Sequence, residues 1–222
     1  MQCLTNMLRA SKHSFWLVPT VSLLSMGITA KVNAQTVYPF NTSYDIEVTL
    51  IPIPSTDVSR AFIYGSNPNA PYGLTNFQSI NNYSRLDPAT GNLVFVQDAT
   101  QFGLQGFPIG GEEFSGSGND RLFGNSSAIA SFDFTNNTLN GTGVVNITGG
   151  TGRFQGAIGT LNFTESEPLN ADPTAPLRGK TFLKGSFQVS QKIPEPTTSM
   201  ALFGVAAIAL AFLRCRQQWE KQ

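Results

Sequence analysis

Histidine and cysteine carry much of protein catalysis and most zinc binding, and this 222-residue chain keeps both away from its middle. The single histidine is His13, and the two cysteines are Cys3 and Cys215. Residues 35–192 therefore offer no imidazole, no thiol and no disulfide. Ser-His-Asp and Cys-His catalysis are excluded there, as are zinc sites built on His or Cys. What remains is carboxylate chemistry. Asp45 and Glu47 lie near one end of this region, while Glu112, Glu113 and Asp120 lie close together in a Gly-rich stretch. No cofactor is expected.

The elements that must hold these residues read as strands. Tyr44, Ile46, Val48 and Leu50 alternate with Asp45, Glu47 and Thr49, the period of a half-buried strand, so both acids fall on the solvated face. Arg60 to Tyr64 offers a second strand. Gly65 to Asn82, rich in Asn, Pro, Gly and Ser, reads as a long surface loop. Asp87 to Asn92 is turn chemistry, and Leu93 to Gln97 follows as a strand. Ser127 to Phe134 places Ala128, Ala130, Phe132 and Phe134 on one side, and Asn136-Asn137 suits a hairpin turn. Leu139, Val145 and Ile147 then share a face with Gly141 and Gly143. Gly159, Leu161 and Phe163 form the next, and Thr181, Leu183, Phe187 and Val189 the last. Short strands with Gly-rich turns and no amphipathic helix predict an all-β body, an antiparallel barrel of about eight strands or a β-sandwich.

Both ends read as addresses. Arg9 and Lys12 precede an apolar stretch from Phe15 to Ala30 and the small-residue exit Val32-Asn33-Ala34, the pattern of a signal peptide cleaved between Ala34 and Gln35. A transmembrane helix is the competing reading, but Pro19 interrupts the run. At the other end, Pro194-Glu195-Pro196 precedes an apolar run from Met200 to Leu213, then Arg214, Arg216 and Lys221. That run of about 14 residues is short of the roughly 20 that span a bilayer comfortably. It is nonetheless expected to form a transmembrane helix, with its basic end on the cytoplasmic side. The chain thus divides into a signal peptide (1–34), a β body (35–192) and a sorting and anchor segment (193–222). Acidic residues outnumber basic ones in the body, which excludes a nucleic-acid partner.

Three resemblances follow from particular residues. The tail, with Pro194, Glu195 and Pro196, resembles the PEP-CTERM sorting signal of Gram-negative bacteria and cyanobacteria, which implies recognition by a membrane-embedded exosortase. The stretch Ile147 to Ala157, with the strands after it, resembles the later half of the allene oxide cyclase and dirigent superfamily, implying an eight-stranded barrel. That resemblance makes Asp45 and Glu47 catalytic candidates, although Glu47 stands where the cyclases carry asparagine. It also draws in Asp98, Asp133 and Arg121 as lumen residues of the dirigent kind. Finally, Gly116 to Gly124 resembles one calcium-binding repeat of the RTX type, making Asp120 a calcium candidate with Glu112 and Glu113 nearby.

The expectation is an exported, non-enzymatic envelope protein, sorted at the inner membrane and then displayed at the surface or in an extracellular matrix. Its expected partners are the membrane through Met200 to Leu213, an exosortase-type enzyme and extracellular polysaccharide. The alternative is a cyclase-like or dirigent-like binder of small molecules that uses the barrel lumen.

Overall fold

A computed structural model describes residues 34–172 and 175–191. The expected signal peptide and the sorting segment with its helix lie outside the described residues. Among those that are described, no helix is long and apolar enough to cross a membrane.

The body is all-β. Nine strands, β1 (Ala34–Pro52), β2 (Val58–Ser66), β3 (Asn76–Leu86), β4 (Leu93–Val96), β5 (Gly111–Ser115), β6 (Arg121–Asp133), β7 (Thr138–Thr151), β8 (Ile158–Pro168) and β9 (Leu177–Gln191), form one antiparallel sheet. Its pairings run β2-β1-β9-β8-β7-β6-β4-β3, and the β2–β3 ladder closes them into a ring. The ninth strand does not widen the ring. β4 and β5 share one place between β3 and β6: β5 pairs with residues 76–80 and 121–124, and β4 with residues 83–86 and 128–130. Each place in the ring is thus filled by the next strand in sequence, which short turns achieve without crossovers.

Period-two burial builds the interior. Tyr44, Ile46 and Val48 of β1 are buried, as are Leu139, Val145 and Ile147 of β7 and Leu183, Phe187 and Val189 of β9. All but Leu139 join Phe40, Phe77, Phe114, Phe154 and Leu161 in the main core, with Tyr38 and Tyr72 packed against it, while Leu139 lies in a separate cluster with Ala61, Phe95 and Ala130. Tyr44 also donates its hydroxyl to the Leu74 carbonyl at 2.6 Å, and burial holds its pKa far above the usual phenol value. A smaller cluster of Val58, Tyr83, Val96 and Ala99 lies under the segment that links β4 to β5.

Two expectations need correction. Gly65 to Asn82 is not one loop, because β2 runs to Ser66 and β3 begins at Asn76. β3 escapes notice in the sequence because it turns Ser79, Asn82 and Ser84 inward, so no apolar alternation marks it. The residues between the strands lie against the ring: Asn67 Nδ2 donates to the Ser43 carbonyl at 2.7 Å, and the Tyr72 hydroxyl to the Pro39 carbonyl at 2.7 Å. Phe132 and Phe134, expected on one side of the strand with Ala128 and Ala130, do not share the burial of Ala130. They stack on each other with ring centroids 5.7 Å apart, and Phe134 is 81% exposed. The strand stops at Asp133, whose carboxylate accepts the amides of Thr135 and Asn136 in the turn that follows.

Candidate functional site

The candidates singled out from the sequence do not converge. Asp45 and Glu47 lie on the outer face of β1, directly opposite their ionic partners on β9, with Lys180 Nζ 2.7 Å from Asp45 and Arg178 2.8 Å from Glu47. Asp98 accepts the amide of Thr100 at 2.9 Å and its hydroxyl at 2.6 Å, capping a 3-10 turn at Ala99–Phe102. Arg121 pairs with Glu113.

Asp120 is fully engaged by Arg153. Its Oδ1 accepts the Arg153 backbone amide at 2.8 Å and its Oδ2 the Nε at 2.6 Å, and these bonds lower its pKa. Gly152, with φ +61, belongs to this junction, since a Cβ there would run into Asp120 Oδ1. The second arm of the guanidinium reaches the Tyr72 carbonyl at 2.9 Å. A guanidinium thus stands where a calcium ion would be needed, while Glu113 is taken by Arg121 and Glu112 faces inward. Among the described residues, no group of three or more Asp, Glu, His or Cys side chains is placed to hold a metal. Calcium and chelator should therefore leave the melting temperature unchanged, whereas Asp120→Ala should lower it by freeing Arg153. A rise with calcium that Asp120→Ala removes would restore the calcium reading.

The residues that do converge lie inside the ring. Glu112 of β5 is 4% exposed, and its Oε1 accepts three bonds, from Ser79 Oγ at 2.8 Å, from Gln97 Nε2 at 2.9 Å and from the Ser126 hydroxyl. Asn82 Nδ2 in turn donates to Ser79 Oγ. No protein donor reaches Glu112 Oε2, Asn82 Oδ1 or Gln97 Oε1. Across the interior, β8 points Glu165 and Glu167 inward. Gly141 of β7 makes room for the first, since a Cβ there would stand 2.5 Å from Glu165 Oε1. Glu167 is 1% exposed, and neither of its oxygens has a partner.

Burial dominates the electrostatics. It raises Glu112 to about 7, against the opposing pull of its hydrogen-bond donors Ser126, Ser79 and Gln97 and of the nearby Asn82 amide. It also raises Glu165 to about 7, helped by the charge of Glu112, and Glu167 to about 8, helped by that of Glu165. Carboxyl groups of this kind can hold or transfer a proton near neutrality. The cavity that Glu112 and Glu165 line, together with Ser79, Asn82, Thr181 and apolar side chains such as Phe95 and Phe163, has a volume of only ≈ 20 Å³.

None of these three acids was singled out for its inward position. The signal was present in β8, where Glu165 and Glu167 continue the parity of Gly159, Leu161 and Phe163.

The decisive observation about the chain's handling comes from its far end. Residues 192–217 match the PEP-CTERM protein-sorting motif. A PEP-CTERM motif marks an exported protein recognised by an exosortase-type processing enzyme at the membrane, and the match spans Pro194, Glu195 and Pro196. No curated protein sequence matches the chain significantly. Among solved structures, the pterocarpan synthase dirigent protein GePTS1 is similar at 11% identity, over 73% of this chain and 90% of that one. The TM-score of 0.24 is too low for anything to be inferred from that protein.

Proposed function

We propose that this chain is a non-enzymatic envelope protein: a signal peptide (1–34) directs export, the PEP-CTERM segment (193–222) anchors and sorts the product, and a β-barrel body (35–192) is displayed at the surface or within an exopolysaccharide matrix. The PEP-CTERM match at 192–217 carries this reading. The body adds support, because it contains no His or Cys and its interior cavity of ≈ 20 Å³ is far below the several hundred Å³ of a small-molecule site. The inward acids Glu112 and Glu165 favour a second reading, a lumenal binder of the cyclase or dirigent kind, but that reading needs the interior to open.

Intact-mass measurement on the exported fraction tests the proposal. A mature chain that begins at Gln35 and ends near Pro196 is the expected product. A surface-located chain still ending at Gln222 would refute sorting by cleavage. Turnover or tight binding of a phenolic or lipid, lost in Glu165→Gln, would favour the second reading.

A further inference from the structure

We infer that the ring interior is a binding site for one water molecule and one proton, held between Glu112, Asn82 and Glu165. Hydrogen-bond saturation is the first ground. Glu112 Oε1 accepts three bonds while its Oε2 accepts none from the protein, and Asn82, also 4% exposed, leaves its Oδ1 without a donor. Both side chains line the same cavity as Glu165. Its ≈ 20 Å³ accommodates about one water molecule. Acceptors converging without donors need a ligand that brings hydrogens, and a water supplies two while an acid proton supplies a third.

Charge is the second ground. The groups facing Glu112 are Ser79 and Asn82 of β3, Gln97 just beyond β4, Ser126 of β6, Glu165 of β8 and Thr181 of β9, with Glu167 further along β8. No Lys or Arg lines the cavity among the described residues. Two ionised carboxylates in such a place each carry a desolvation cost of several kcal/mol with no cation to offset it. One proton on the pair removes half of that charge. Glu112, which holds three donors on Oε1, is the stabilised anion, so the proton sits on Glu165.

The test is a titration of carbon-13-labelled glutamate carboxyls in the full chain in detergent, with a high-resolution crystal structure of the same protein. Glu112 and Glu165 should titrate in two coupled steps, at least one above pH ~6. Glu112→Gln should leave Glu165 with one step at a lower midpoint. Density for one water should lie within hydrogen-bond reach of Glu112 Oε2 and Asn82 Oδ1. Independent ionisation of both wild-type carboxyls below pH ~5, or a cavity without water density, overturns the inference. If Glu112→Gln fails to fold, the wild-type titration and density decide alone.

Discussion

Raising the pH from about 5 to about 9 should destabilise the folded body by several kcal/mol, reversing the usual behaviour of a protein with surface carboxylates. Glu112, Glu165 and Glu167 are the cause. Each has an ordinary value of 4.5 in the unfolded chain, and burial lifts them to about 7, about 7 and about 8. In that window the folded state keeps protons that the unfolded chain has released. The contribution is therefore fully present below about pH 4.5 and is lost as pH rises through the folded values. For Glu165 alone the shift corresponds to something on the order of 3 kcal/mol, and coupling makes the three less than additive. Asp87, Asp98, Asp120 and Asp133 act in the opposite sense, since hydrogen bonds lower each of them and their contribution disappears as pH falls below the ordinary 3.8. The melting temperature of the full chain in mild detergent should thus peak in the acid range, near pH ~5, and decline toward pH ~9. The triple variant E112Q/E165Q/E167Q should flatten the decline. A wild-type melting temperature as high at pH ~9 as at pH ~5 would contradict this account.

The second large effect is expected at one aromatic ring. Phe154 is fully buried in the main core, edge-on to Tyr38 at 5.5 Å and to Phe187 at 5.2 Å. Arg153, held by Asp120, stacks over it at 5.3 Å. Phe154→Ala removes the ring from beneath this junction and should cost about 3–5 kcal/mol. In a chain of this size that lowers the melting temperature by on the order of 10 °C. Phe134, exposed and stacked only on Phe132, serves as the comparison, and Phe134→Ala should change stability by less than about 0.5 kcal/mol. Equal losses in the two variants would mean that the inward and outward faces have been assigned wrongly.

The two rings also show how far alternation can be trusted. It places Tyr44, Ile46, Val48, Leu139, Val145, Ile147, Leu183 and Phe187 correctly, because each belongs to an unbroken ladder with at least one neighbouring strand. It misplaces Phe132 and Phe134 because parity says nothing about where a strand ends. It overlooks β3 because an inward Ser or Asn reads as solvated, and the left-handed Asn81 (φ 58) shifts the register partway along. The carboxyl cluster was hidden for the same reason. A Glu on the inner parity of β8 resembles the polar end of a strand until the partners across the ring are known.

One feature of the wall bears on how quickly the interior responds to its surroundings. Where β4 hands its place to β5, the ladder is broken, and the chain leaves at Gln97 and returns at Gly111, with Gly110 donating its amide to the Gln97 carbonyl at 2.7 Å. Gln97 and Glu112, which flank that break, are both members of the buried cluster. Local parting of the two half-length strands there would give the acids a route to bulk solvent without global unfolding. The interior would then come to equilibrium with the outside on the timescale of a local fluctuation, so that the body adjusts its charge while folded.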